Sequence, residues 1–192
     1  MRSRIFTVVM FITLGTILVI SGCSGVDEVT VREIARDEAM KAVDTYTQSF
    51  GPEKFGFGVS WEKDFSYAQG VKTGNMIFVA GQLAHSQEVD SEGNPTEYFM
   101  GDFEEQYRAT LENIKAVLAN YGATMDDVVF LQNFVVPKTK TGKTAGDYNP
   151  VAAKLVTEYF PNGLHAMTFA DIQGLYGPDQ LVESNAIAVV NK

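Results

Sequence analysis

The stretch DFEEQYRATLENIKAVLANYGATMDDVVFLQNFVV, residues 102–136, changes its periodicity once, and that change decides the fold. Up to Tyr121, apolar side chains recur at Phe103, Tyr107, Leu111, Ile114, Leu118 and Tyr121, the spacing of one face of an α-helix. Asp102 stands at the N-cap with Glu105 where a capping box needs its acid, and Gly122 stops the helix. From Val128 to Val136 the run VVFLQNFVV is rich in β-branched and aromatic residues, so a strand follows at once.

On the N-terminal side, Val71 and the run Met76-Ile77-Phe78-Val79-Ala80 read as paired strands turning at Thr73-Gly74-Asn75. Residues His85 to Met100 are polar and hold Asp90, Gly93, Asn94 and Pro95, which predicts a loop or a wide hairpin. On the C-terminal side, Asn149-Pro150 fits an N-cap and first helical residue, with Val151, Leu155, Val156 and Tyr159 on one side and Pro161 past the end. Strands are expected near His165 to Ala170 and from Leu181 to Val190. The order is ββαβαββ, an α+β fold with two helices on one face of a mixed sheet.

The start of the chain carries a different signal. Arg2 and Arg4 precede an uncharged run from Ile5 to Ile20, which has the layout of a signal peptide, and the run is short for a span that needs about 20 apolar residues. Ile20-Ser21-Gly22-Cys23 resembles the lipobox of bacterial lipoproteins, which predicts removal of residues 1–22 and a lipid on Cys23, the only cysteine of the chain. Ser24 in place of Asp favours an outer-membrane address facing the periplasm. From Val26 to about Tyr46 a charged segment with Val31, Ile34, Ala35, Ala39, Ala42 and Tyr46 reads as a helical stalk, ended by Gly51, Pro52, Gly56 and Gly58. The expected division is 1–22 signal peptide, 23–58 lipidated Cys23 plus stalk and linker, and 59–192 one domain. The net charge of −9 becomes −9 − 2 = −11 once Arg2 and Arg4 are lost. Such a surface repels phosphates, so no nucleic-acid partner is expected, and the tether has to supply the membrane contact.

Common catalytic signatures are missing. Thr141-Gly142-Lys143-Thr144 ends like a phosphate-binding loop, but Pro137 occupies the position of the required first glycine. His85 and His165 lie in no ligand-spaced motif, so no metal site and no cofactor are expected. No G-x-S-x-G elbow presents a serine.

A set of blocks in fixed order carries more. Ser66 to Val71, Val79-Ala80-Gly81-Gln82, Gln106 to Leu111 with Asn113-Ile114, Gly122-Ala123, Asp126 to Val129, and Val182-Glu183 with Ala186 to Val189 resemble the Rid family of reactive intermediate deaminases, also called YjgF-like proteins. The resemblance covers roughly Trp61 to Val190 and implies the family's chorismate-mutase-like ββαβαββ fold. It also implies a homotrimer with a small-molecule cleft at each subunit interface. In catalytic members an arginine grips the substrate carboxylate, while a glutamate and a backbone carbonyl position the attacking water. Carried over by position, Tyr67 and Gly81 line the cleft and Glu183 is the catalytic carboxylate. The family's arginine, followed by Ser or Thr, corresponds to Met167 before Thr168 in the string His165-Ala166-Met167-Thr168.

That departure has a size. Removing one partner of a buried charge pair costs about 2 to 5 kcal/mol, on the order of 30-fold or more in affinity. After Arg108 the chain has no arginine to take over, and Lys138, Lys140 and Lys143 lie in one loop of unknown reach. Met167, Tyr67 and Gly81 each also have an ordinary structural reading as core filler, strand aromatic and bulge. Glu183 points further, because a carboxylate inside an apolar strand alternation needs a reason. The expected function is a membrane-anchored module binding a small molecule between trimer subunits without the usual 2-iminoacid deaminase activity. The alternative is a periplasmic imine or enamine deaminase-type hydrolase using Glu183 and a water on a substrate that lacks a carboxylate.

Overall fold

The computed structural model describes residues 28–49, 51–136, 142–163 and 165–190. The expected signal segment, Cys23, Lys138 and Lys140 lie outside the described residues. The chain divides into Met1–Gly51 and Pro52–Lys192. In the first unit the described residues form helix α1 (Glu28–Ser49), with Ile34 and Met40 exposed on it. Among the described residues no helix is long and apolar enough to cross a membrane.

The second unit holds β1 (Glu53–Phe55), α2 (Ser60–Asp64), β2 (Gly70–Thr73), β3 (Met76–Gln82), α3 (Phe103–Asn120), β4 (Val128–Val135), α4 (Ala145–Tyr159), β5 (Ala166–Asp171) and β6 (Val182–Val189). The sheet order is β1-β2-β3-β6-β4-β5, with β4 and β5 parallel and the other pairs antiparallel. The mixed sheet with α3 and α4 is the expected α+β layout. A short strand is added to it: Glu53–Phe55, which the sequence left in the linker, pairs with β2, and Lys72 Nζ meets Glu53 Oε1 at 3.3 Å. Residues 85–100 form the wide hairpin, bridged at His85 with Tyr98 and at Val89 with Pro95.

Helix α3 is built as its pattern requires. Asp102 accepts from the Glu105 amide at 3.0 Å, and Phe103, Tyr107, Leu111, Ile114 and Leu118 are buried against β3 and β6. Burying a side chain such as Leu111 contributes about 2 kcal/mol. The same face also buries Gln106, Thr110 and Asn113. Two of these amides serve loops. Gln106 accepts from Leu181 N and donates to Asp179 O, while Asn113 donates to Leu83 O and His85 O. At the C-terminus Gly122 takes φ +68°, and the Ala123 amide returns to Leu118 O at 3.0 Å, a closure that glycine adopts without strain.

Helix α4 starts earlier than Asn149-Pro150 suggests. Thr144 is its N-cap: the Thr144 amide and hydroxyl both donate to Asp147 Oδ2, at 2.6 and 2.9 Å, and Ala145 N donates to Asp171 Oδ1 at 3.0 Å. Those acceptors settle the free amides of the first turn, so the helix begins there. Pro150 then falls inside it, forgoing one amide bond.

Along the central strands burial alternates. Ile77, Val79, Leu131, Val135, Val182, Ala186 and Ala188 pack under the helices. Phe78, Phe130, Phe134, Ile187 and Val189 point the other way and are exposed or half-buried. One sheet face is therefore a core, and the other is an apolar surface without a covering layer among the described residues.

Candidate functional site

Helix α2 is a mount for Tyr67. Its last turn closes by Ser66 N donating to Lys63 O at 3.3 Å and Tyr67 N donating to Glu62 O at 3.0 Å, with Ser66 in the left-handed region at φ +53°. This is the closure usually assigned to glycine. The Tyr67 phenol oxygen then receives two hydrogen bonds, from Trp61 Nε1 at 2.7 Å and Gln69 Nε2 at 3.2 Å. Behind them runs a chain of amides. Gln69 Nε2 also donates to Glu62 Oε1 at 2.9 Å, and Gln82 Nε2 donates to Gln69 Oε1 at 2.8 Å and to Ala80 O at 3.1 Å. The Glu62 carboxylate is itself held by the amides of Phe57 and Gly58 at 2.8 and 3.1 Å.

Gly81 lies where the β3–β6 register shifts, between Val79 and Gln82. A Cβ built on it would stand 1.9 Å from Glu183 Oε1, so the Glu183 carboxylate rests against bare backbone and a side chain at position 81 would displace it. Burial pushes the Glu183 carboxyl above its ordinary value, and no hydrogen bond or ion pair reaches it among the described residues. Burial also raises Tyr67. The bonds from Trp61 and Gln69 oppose that rise, and the charges of Glu62 and Glu183 add to it. Glu183 thus lies against Gly81 and close enough to Tyr67 for its charge to act on the phenol.

Met167 and Thr168 lie apart from Glu183 within one chain. They lie on the edge strand β5, opposite Leu131 and Gln132 of β4, while Glu183 on β6 is opposite Phe134. Two strand spacings and a shift of three residues separate Met167 from Glu183 by about 14 Å. Met167 is 49% exposed and shares the helix-side face with Leu131, whereas Thr168 shares the open face with Gln132. Of the loop lysines, Lys143 lies over the Tyr148 ring at 5.5 Å, away from Glu183.

The histidines serve packing. His85 is buried, bonded through Nδ1 to Ser86 O at 2.8 Å, and edge-on to Trp61 at 5.5 Å. His165 lies on Phe160 with ring centroids 4.2 Å apart, and burial lowers its basicity. Among the described residues no group of three His, Cys, Asp or Glu side chains could hold a metal.

Sequence reading missed Trp61, Glu62 and the site roles of Gln69 and Gln82. Their types are unremarkable in a row, and only contacts across α2, β2 and β3 reveal them. Two surface grooves lie elsewhere: about 480 Å³ beside Glu112, Met125 and Tyr159, and about 400 Å³ beside His85, Glu105 and Arg108. Neither includes Tyr67, Gly81 or Glu183. As the mark of a site, a half-buried carboxylate with no hydrogen-bond or ionic partner among the described residues outweighs concavity.

The chain is similar to known proteins over this unit. The family model described as endoribonuclease L-PSP matches residues 61–190. A RutC family protein of Pyrococcus abyssi is 34% identical over 122 residues, covering 64% of this chain and 84% of that protein. The 3-aminoacrylate deaminase RutC of Acinetobacter baylyi is 31% identical over 124 residues, covering 65% and 86%. Among solved structures, Escherichia coli TdcF with bound serine is 25% identical with a TM-score of 0.50, covering 65% of this chain and 88% of that one.

Proposed function

The chain belongs to the Rid/YjgF family, whose model is described as endoribonuclease L-PSP, and from that membership we propose that it binds a small molecule between the subunits of a homotrimer, without the usual 2-iminoacid deaminase activity. The observation that carries this reading is the pairing of Glu183, half-buried over Gly81 with no cation beside it among the described residues, with a methionine at position 167. A carboxylate ligand would meet Glu183 as a like charge and find no guanidinium to offset it.

A site between copies is supported by two features. The face carrying Phe78, Phe130, Phe134 and Ile187 is apolar and uncovered, which favours burial against another chain. Met167 and Thr168 lie about 14 Å from Glu183 along the sheet, so a ligand touching both halves draws one from a neighbouring copy. A small ligand is supported by the serine bound to TdcF. RNA is not adopted as a substrate, since a net charge of −9 opposes phosphate binding.

The second reading, a deaminase-type hydrolase acting on a substrate without a carboxylate, is favoured by Glu183 itself. A carboxyl raised by burial is suited to taking a proton from water, and the Acinetobacter relative is named as a deaminase. One assay tests the first reading: 2-iminoacids generated by an amino-acid oxidase, with hydrolysis followed in the presence of the protein. No acceleration is expected. Strong turnover by the wild type that Glu183→Ala abolishes would overturn the non-catalytic reading. Attachment to a bacterial outer membrane through a lipid on Cys23, facing the periplasm, is part of the proposal and rests on Ile20-Ser21-Gly22-Cys23. Cys23→Ser should release the protein from the membrane fraction.

A further inference from the structure

The Tyr67 hydroxyl is surrounded by groups that can act in only one sense. An indole N–H donates and never accepts, so Trp61 Nε1 at 2.7 Å uses one lone pair of the phenol oxygen. Gln69 approaches with its NH₂ end. That assignment is forced by its neighbours, since the same nitrogen lies 2.9 Å from the Glu62 carboxylate, an acceptor, and the Gln69 carbonyl takes a bond from Gln82 Nε2. Gln82 is oriented in turn by the Ala80 carbonyl at 3.1 Å, which only accepts. With two donors on its oxygen, Tyr67 keeps its own proton, and no acceptor for that proton is present among the described residues. The arrangement is tightly constrained. A Cβ on Gly56 would stand 2.3 Å from Glu62 Oε2, so bare backbone is needed where Glu62 anchors the amide chain.

We infer that Trp61 and Gln69 hold Tyr67 as an obligate hydrogen-bond donor toward the ligand, so that the site selects a neutral molecule with an acceptor atom for Tyr67 and an N–H for Glu183, as a carboxamide provides. This rests on the reading that Tyr67, Gly81 and Glu183 line the ligand site. Trp61 is a positioning residue in it and touches no ligand itself. Tyr67 contributes its proton, and Glu183 contributes a carboxylate that lacks a donor. A carboxylate ligand meets the Glu183 carboxylate as a like charge and offers it no donor. The amide of the same shape replaces one oxygen by NH₂ and satisfies both polar groups.

The test has an arm that needs no ligand. In the full-length protein with ¹³Cζ-labelled tyrosine, the Tyr67 resonance is identified by its loss in Tyr67→Phe and titrated in wild type and Trp61→Phe. Removing the indole donor should move the Tyr67 titration to higher pH, because the phenolate loses a bond that stabilised it. An unmoved titration overturns the role of Trp61. In the second arm, propanamide and propanoate are compared by ligand-observed NMR. Propanamide should bind more tightly, and Tyr67→Phe should weaken it about fivefold, the worth of one neutral hydrogen bond. Gly81→Ala, which drives into Glu183, should abolish binding. If Gly81→Ala abolishes binding and Tyr67→Phe does not weaken it, the site stands and the donor assignment fails. If Gly81→Ala leaves binding intact, the site itself is misplaced. Equal or tighter binding of propanoate, or binding of neither probe, overturns the ligand class.

Discussion

Ser66 and Glu183 show how single residues carry strain toward the site. Ser66 occupies a left-handed conformation at φ +53° that glycine would adopt more easily, in the turn that delivers Tyr67. Ser66→Gly should therefore raise stability by up to about 1 kcal/mol in urea unfolding, with Tyr67 unmoved. Glu183 costs stability by being charged where burial disfavours charge. Its folded value is raised above the ordinary 4.5, so the folded state binds the proton more tightly than the unfolded chain does. The resulting contribution is fully present below about pH 4.5 and is lost as pH rises through the raised folded value. Glu183→Gln should accordingly be more stable than wild type at neutral pH, with the difference shrinking as pH falls toward 4.5. A constant difference across that range in urea midpoints would show that the carboxyl is not desolvated.

Among the elements, the two start signals of α4 compete, and the structure resolves them in favour of Thr144. Asp147 accepts from both the amide and the hydroxyl of Thr144, and Asp171 on β5 adds an acceptor for the Ala145 amide from outside the helix. Thr144→Ala should therefore destabilise the protein by about 1 kcal/mol, as loss of a capping threonine does. Asn149→Ala, an exposed interior position, should be close to neutral. If the order were reversed in denaturant melts, the helix would start at Asn149 after all. The position of this cap has a consequence for β5. Asp171 joins the end of that strand to the first turn of α4, which fixes the register that sets Met167 and Thr168 opposite Leu131 and Gln132.

For the whole molecule, the uncovered sheet face is the feature with the largest consequence. Its Phe78, Phe130, Phe134, Ile187 and Val189 side chains alternate with the polar Gln132, Glu183 and Asn185, so the proposed assembly and the proposed ligand site would share one surface. The protein is expected to sediment as a trimer. Phe134→Asp, which places a charge on that face beside Glu183, should shift it to monomers in analytical ultracentrifugation and weaken ligand binding with it. A trimer that survives this change would place the interface elsewhere.

The sequence by itself determined the α+β class, the order of the paired strands and two main helices, and the family, because each rests on local periodicity or on ordered blocks of residues. Asp102 and Gly122 announced their helix ends, and Glu183 announced itself as a carboxylate in an apolar alternation. Short strand β1 was invisible, since three residues carry no period and Glu53–Phe55 is held by pairing with β2. The start of α4 was read from Asn149-Pro150, while its real cap depends in part on Asp171, a residue 26 positions away. Only the tertiary structure decided that Tyr67 is held by Trp61 and Gln69, that Gly81 leaves the space Glu183 occupies, and that Met167 lies apart from both within one chain. The physical reason is that hydrogen bonds and close approaches between strands and loops depend on distance in space, which periodicity along the chain does not encode.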